Sequence, residues 1–351
     1  MNAPESLPIR LTELAHGGGC GCKVAPGVLR EILANAGGAM VPAQLLVGIE
    51  TSDDAAVYEL NERQAVVATT DFFMPIVDDP FDFGAIAASN ALSDVYAMGA
   101  TPIFALAIVG MPVAKLPAAT IRRILDGGQS ICTRAGIPLA GGHTIDTVEP
   151  IYGLVAIGVL DPRHLKRNAG ARDGDAIILG KPLGIGIYSA ALKRGALSAD
   201  RYETLRASAT KLNTPGMALG ALDDVHALTD VTGFGLLGHL LEMCRGARIG
   251  AAIEFARIPL HPGVLDLAGQ GFVTGASRRN FDAYGNEVAL APEIGGAEPA
   301  LLSDPQTSGG LLVACAPEAV DSVLAIFRNE GFSEAAQIGH FAAGAPRISV
   351  M

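Results

Sequence analysis

Apolar residues recur along the chain in two rhythms, short continuous runs and helical spacing, and the two alternate. Ala65–Thr70 is a strand-like run that ends at Asp71. Asp82 is placed as the N-cap of a helix running to Met98, with Gly99 just past its end and Pro102 beyond. Ile103–Val109 reads as a strand. Ala118–Ala135 reads as a helix, weakened by the Gly127–Gly128 pair. Ile137–Ala140 is a short strand leading into Gly141-Gly142-His143-Thr144, and Ile151–Val159 closes this block as a strand. A helix over Pro26–Ala36, with proline at an early position, precedes the block.

A polar, basic segment, Asp161–Asp173, is expected to link two domains. Beyond it come a strand at Asp175–Leu179, the loop Gly180–Gly186 and a helix. A further helix is expected from about Tyr202 to Leu219, then a strand ending at Asp230 and a helix from Gly233 to Cys244. The remainder reads as strand 310–315, helix 317–330 and strand 335–341. Strands and helices alternate in both blocks, so the fold is mixed, α/β or α+β. There is no strict repeat. A chain of 351 residues is long for one core. The organisation expected is an N-terminal segment 1–47, a domain at 48–160, the linker 161–173 and a second domain at 174–351.

Composition narrows the classes of function. Half of the residues are hydrophobic and 17% are charged, enough to bury a large core. No apolar run reaches the length of a membrane span, and the first residues lack the basic start and apolar stretch of a signal peptide. A reducing, cytoplasmic setting is therefore expected for the thiols. The net charge of −11 argues against nucleic-acid binding through a broad basic surface. It leaves open a polyanionic substrate reached through magnesium.

Chemistry concentrates first at His16-Gly-Gly-Gly-Cys-Gly-Cys-Lys23. So many glycines suggest a mobile loop. A lysine close to Cys20 and Cys22 favours the thiolate, the nucleophilic form. Half of a zinc site and a bare flexible terminus are the rival readings. Zinc would need a second ligand pair, and Cys132, Cys244 and Cys315 stand apart in apolar runs. Aspartates form the second concentration. Asp53 and Asp54 precede a run of apolar residues, Asp71 ends a strand, Asn90 and Asp94 share one face of an apolar helix, and Asp230 lies in Thr229-Asp-Val-Thr-Gly-Phe-Gly235. An unpaired buried carboxylate costs several kcal/mol, roughly the effective desolvation penalty of one ion. Magnesium with phosphate oxygens is an economical partner for the set. There is no P-loop, and Gly184-Ile185-Gly186 reads as a helix-start turn. Gly141–Thr144 and Ser303–Gly310 are turns that either bind an anion or merely reverse the chain.

Taken in order, His16–Lys23, Thr51–Val57, Thr69–Val77, Asn90–Gly99, Ala140–Asp146, Lys181–Gly186, Thr229–His239 and Ser303–Leu312 resemble the selenophosphate synthetase (selenide, water dikinase) family. The later motifs resemble the wider ATP-binding superfamily of aminoimidazole ribonucleotide synthetase and thiamine-monophosphate kinase. The resemblance spans nearly the whole chain. It implies a two-domain α+β fold, with an N-terminal domain that dimerises into a shared β-barrel and a C-terminal α/β sandwich of sheet and helices. It implies the reaction ATP + selenide + water → selenophosphate + AMP + phosphate, with Mg²⁺ and a monovalent cation, K⁺. Cys20 would be the catalytic thiol and Lys23 the essential lysine. Asp54, Asp94 and Asp230 would hold magnesium. Lys23, Thr51, Ser52, Asp53, Asp71, Asp94, Gly142, His143 and Thr144 would surround ATP. A homodimer would be expected, with the selenium arriving either as free selenide or from a selenium-delivery protein. Two other readings remain: a kinase of the same superfamily releasing ADP, and a non-catalytic thiol carrier of selenium.

Overall fold

The computed structural model describes residues 9–24, 28, 32, 42–48 and 53–351. The expected helix at 26–36 falls almost wholly outside them, as do Thr51 and Ser52.

Six strands form the first sheet: β1 (Leu45–Val47), β2 (Ala56–Asn61), β3 (Gln64–Phe73), β4 (Thr101–Met111), β5 (Leu139–Asp146) and β6 (Ile151–Leu160). Their spatial order is β1-β2-β3-β6-β4-β5. Strand β3 buries every second residue from Ala65 to Phe73, as a sheet covered on one face requires. The covering element is the helix Pro80–Ala97, whose long run of buried residues is mostly small. A second helix, Ala118–Arg134, lies against it. Glycines set their separation. A Cβ on Gly84 would sit 1.8 Å from the Ile124 carbonyl oxygen, and one on Gly127 would sit 2.0 Å from that of Phe81. The Gly127–Gly128 pair is thus the contact surface of this helix rather than a weakness in it.

The N-cap of Pro80–Ala97 is Asp79, three residues before the one expected; its carboxylate accepts the Asp82 N–H, while Pro80 occupies the first turn. Gly141–Thr144 also departs from expectation. It is not a turn but the middle of β5, an exposed strand at the sheet edge, paired in parallel with β4.

The second sheet contains β7 (Ala176–Leu179), β8 (Val225–Asp230), β9 (Gly250–Ile253), β10 (Val288–Leu290), β11 (Leu311–Cys315), β12 (Ala336–Ala342) and β13 (Ile348–Val350). Their order is β10-β13-β9-β12-β7-β11-β8. Strands β7 and β11 are buried throughout and read in sequence as unbroken apolar runs. The long helix expected near 202–219 is two helices, Ala199–Ala209 and Pro215–Gly220. Pro215 starts the second, and in the gap the Asn213 amide turns inward to reach Ser93 Oγ and the Gly309 carbonyl. Residues 162–170 form two short 3-10 turns, with Lys166 and Asn168 buried. No helix among the described residues is long and apolar enough to cross a membrane.

This topology brings the carboxyl end of β8, the turn before β11 and the helix Pro80–Ala97 together, and the thiol loop rests against them.

Candidate active site

Gly19–Cys22 is a single 3-10 turn packed between the two domains. Gly19 has φ +54°, and a Cβ there would lie 2.2 Å from Ile76 Cγ2 and 2.3 Å from Thr307 Oγ1. Glycine is needed here for close approach as well as for the left-handed backbone. The turn is pinned by the Gly19 N–H donating to the Met74 carbonyl at 2.8 Å. The Cys20 N–H donates to Thr307 Oγ1 at 3.1 Å, and the buried Cys20 thiol donates to Asn90 Oδ1 at 3.1 Å.

Sequence proximity to Lys23 suggests a thiolate, and the structure corrects this. Burial pushes the Cys20 thiol well up and the charge of Asp71 adds to the effect; Lys23 opposes them and is outweighed. Burial likewise raises the Cys22 thiol, to about 11. The Lys23 ammonium answers first to Asp71, with Cys20, Asp94 and Asp230 adding to its raised pKa. Its stem crosses Gly233, where a Cβ would come within 2.9 Å of Lys23 Cδ. A cavity of about 330 Å³ opens beside Cys20, Lys23, Asp71, Phe72, Met74 and Ile151.

Three carboxylates meet from three segments. Each of Asp54, Asp94 and Asp230 offers one oxygen, and these oxygens lie within 4.8 Å of one another. A hydroxyl holds each one. Thr229 donates to Asp54 at 2.9 Å, Thr69 donates to Asp94 at 2.5 Å, and Ser93 donates to Asp230. Asp54 Oδ2 is buried without a hydrogen-bond partner. Burial first, then the Asp230 charge, drives the Asp54 and Asp94 carboxyls well above the usual range; burial also raises Asp230. Such a set of hard oxygens, crowded and short of cations, suits a divalent ion.

Asn90, one turn before Asp94, is fully buried. Its Nδ2 donates to Asp71, and its Oδ1 also accepts the Ser308 N–H at 2.7 Å. The turn at 303–310 is divided between two tasks. Asp304 and Gln306 take the N–H groups of Gly184, Ile185 and Ile187 at the start of the helix Ile185–Lys193, which rules out that helix end as a free anion site. Thr307 and Ser308 face the thiol loop and Asn90.

Not every expected residue joins this cluster. Asp53 accepts the Asn168 N–H at 2.8 Å; His16, to which the sequence assigns no role, pairs with Glu149 at 2.8 Å on the surface. Gly142 shares a sheet row with Asp71, through Ala107 and Leu154. Three strand spacings separate the two, about 14 Å, so one chain alone does not bring Gly142, His143 and Thr144 to the aspartates. Sequence reasoning missed Thr69, Thr229 and Ser93 as holders of the carboxylates, and Thr307 as a holder of the loop. A hydroxyl beside or one residue from an aspartate was the available signal for Thr229 and Ser93.

The family model described as AIR synthase related protein, N-terminal domain, matches residues 52–160, and the corresponding C-terminal domain model matches residues 172–350. The chain is 60% identical to a selenide, water dikinase of Dechloromonas aromatica over 98% of its own length and 99% of that protein. It is also 60% identical to one of Paraburkholderia xenovorans, over 100% and 99% respectively. Among solved structures, thiamine-monophosphate kinase of Stenotrophomonas maltophilia is 21% identical, with a TM-score of 0.63 over 94% of this chain and 96% of that one. The protein tt0281 of Thermus thermophilus is 20% identical, with a TM-score of 0.68 over 93% and 96%. At that identity the likeness speaks for the two-domain α+β fold. Agreement with the curated relatives runs from end to end of both partners, and the chain belongs to the selenide, water dikinase family.

Proposed function

We propose that the chain makes selenophosphate from ATP, selenide and water, releasing AMP and phosphate, in the cleft where Cys20, Lys23, Asp71 and the aspartate trio converge. That convergence, built from segments far apart in sequence, is the observation that supports the reading.

The residues suit a phosphoryl transfer whose main demands are positioning and charge neutralisation. Lys23, kept charged by Asp71, would balance negative charge developing on the transferred phosphoryl group. Cys20 would guide the selenide to phosphorus from its place beside Asn90. In the transfer a selenium–phosphorus bond forms and a phosphoanhydride bond breaks. A second anhydride is cleaved by water, which accounts for AMP and phosphate. The thiol turn, seated between the domains, would keep water out of the first event. Asp54, Asp94 and Asp230 would hold magnesium, which supplies charge neutralisation at the phosphate oxygens when bound. Asp71 would stand beside the nucleotide. Thr51, Ser52 and Asp53 remain candidates for the same role.

A homodimer would complete the nucleotide site. Strand β5 is an edge with exposed residues, and Phe72, Ile103 and Ile145 expose apolar side chains in the same domain. Gly142, His143 and Thr144 would reach a nucleotide from the partner chain rather than from their own. A monovalent cation, K⁺, and a protein that delivers selenium are further parts of the proposal, as is a cytoplasmic setting.

One assay tests the core. The protein is incubated anaerobically with ATP, Mg²⁺ and selenide, and AMP, ADP and selenophosphate are resolved by ³¹P NMR, with Na⁺ exchanged for K⁺ in a parallel tube. Selenophosphate and AMP in equal amounts, both abolished in Cys20→Ser while ATP binding persists, are expected. ADP as the end product would point to an oxygen-directed kinase and overturn the reading.

A further inference from the structure

A single amide touches all three parts of the cleft. Asn90 Oδ1 accepts the Cys20 thiol at 3.1 Å and the Ser308 N–H at 2.7 Å, while Nδ2 donates to Asp71. The orientation is unambiguous, because a flipped amide would set its NH₂ against the Ser308 N–H and its oxygen against a carboxylate. Asn90 is wholly buried on the helix Pro80–Ala97, so it has little room to turn. The donor from the other domain is also held in an unusual way. Ser308 has φ +53°, a conformation rare for a residue with a side chain, and its hydroxyl is buried without a hydrogen-bond partner. Strain of this kind persists where surrounding structure enforces it. Here it aims a backbone N–H at Asn90. Thr307, the preceding residue, takes the Cys20 N–H, so the thiol residue is gripped at its backbone and at its sulfur by neighbouring parts of one assembly.

We infer that Asn90 is a positioning residue, which holds the Cys20 thiol in place and links it to Asp71, so that the thiol loop and the carboxylate beside the nucleotide are set by the same side chain. The inference rests on the catalytic reading of Cys20 for its consequence in turnover, but its structural claim can be read without turnover. Asn90 is not expected to touch substrate. It would act through Cys20 and Asp71. Two substitutions separate its two ends. Asn90→Ala removes both. Asn90→Asp keeps an oxygen acceptor for Cys20 and Ser308 but loses the donor to Asp71, setting two carboxyl groups against each other.

The readout is the rate of alkylation of Cys20 by iodoacetamide, measured by mass spectrometry in the full-length protein at one pH, with Cys22 as the internal reference. Loss of one buried hydrogen bond, on the order of tenfold in the population of a released thiol, sets the scale. Asn90→Ala is expected to speed Cys20 alkylation about tenfold relative to Cys22, and Asn90→Asp, which keeps the acceptor and adds a carboxylate beside the sulfur, to leave that ratio at or below the parent's. In steady state, Asn90→Ala, which loses both ends, should lower kcat and raise the KM for ATP, whereas Asn90→Asp, which keeps the acceptor for the thiol, should raise the KM for ATP with the smaller loss of kcat. Thermal melting and ATP binding identify a variant that has failed to fold; Asn90→Ser, whose side chain is too short to span from Cys20 to Asp71, then takes the place of Asn90→Ala, with an acceleration of the same sign. An unchanged Cys20 ratio in a folded Asn90→Ala protein overturns the inference, as does equal acceleration in both Asn90 variants. If Cys20→Ser keeps full selenophosphate output, the catalytic reading of the thiol fails, while the alkylation result still decides whether Asn90 holds it.

Discussion

Asp54→Asn should make the metal-free protein more stable and its magnesium response weaker. The reasoning begins with the three oxygens within 4.8 Å of one another, which belong to Asp54, Asp94 and Asp230. Two unit charges at that distance repel by about 3 kcal/mol at an effective dielectric near 20. Lys23 offsets part of this, and part is avoided by protonation, since the Asp54 and Asp94 carboxyls are raised well above the usual range by burial and by Asp230. A raised carboxyl binds its proton more tightly in the folded chain than in the unfolded one. Its favourable contribution is therefore complete below the unfolded value, near pH 4, and is lost as pH climbs through the raised folded value. An asparagine has no such loss. Its amide can also donate to the neighbouring carboxylates from the atom that replaces the partnerless Asp54 Oδ2. Net stabilisation of about 1–3 kcal/mol is expected at pH 8 in EDTA, seen as a melting temperature several degrees higher, at about 2–4 °C per kcal/mol. Calorimetry of both proteins from pH 5 to 8.5, with EDTA and then with excess Mg²⁺ and a non-hydrolysable ATP analogue, gives the test. The difference in EDTA should widen as pH rises, and ligand should stabilise the parent more than the variant. An Asp54→Asn protein that melts lower than the parent at pH 8 in EDTA, or a difference that does not change with pH, would refute the reasoning.

Lys23→Ala should lose about 3 kcal/mol of transition-state stabilisation, roughly a hundredfold in single-turnover rate; an unchanged rate with saturating ATP excludes the electrostatic role. Gly84→Ala should destabilise the N-terminal domain by about 3 kcal/mol or more, because the new methyl group would lie 1.8 Å from the Ile124 carbonyl oxygen. Denaturant titration checks this, and a loss below about 1 kcal/mol would show that the two helices separate freely. Ile145→Lys, on the exposed edge strand, should convert the proposed dimer to a monomer in light scattering at micromolar concentration. A mass equal to that of the parent would move the dimer contact elsewhere.

Most of the fold is legible in the apolar pattern because burial and periodicity coincide. Along β3 the buried residues fall on alternate positions, and in β7 and β11 a continuous apolar run marks a strand covered on both faces. The departures have local causes that hydropathy does not encode. Asp79 outcompetes Asp82 as a cap because Pro80 fixes the first helical turn. Asn213 interrupts a stretch of otherwise helical composition because its amide is used across the domain boundary. Gly141–Thr144 looks like a turn, yet β5 extends through it. Gly142 has φ +152°, and a Cβ there would approach the Ala107 carbonyl oxygen to 2.1 Å, so these glycines permit close strand pairing instead of a reversal.

The site is legible in its charged members and hidden in its neutral ones, for the same physical reason. A carboxylate in an apolar setting is costly enough to stand out by itself, so Asp54, Asp71, Asp94 and Asp230 are visible in the sequence alone. A threonine, serine or asparagine in the same setting is ordinary, and its meaning depends on where its hydrogen bond goes. Thr69 and Ser93 look like strand and helix fillers until the fold turns their hydroxyls onto Asp94 and Asp230. The most consequential misreading concerns Cys20. Nearness to Lys23 in sequence predicts a thiolate, but in space Lys23 is shared among Asp71, Asp94 and Asp230, and the thiol is buried against a neutral amide. At the sulfur, burial and the charge of Asp71 outweigh Lys23 and favour the protonated thiol. The proposed role of Cys20 would require a change in that balance. Local sequence cannot show this, because the groups that decide the state of the sulfur come from five segments separated by up to 287 residues, from Cys20 to Thr307.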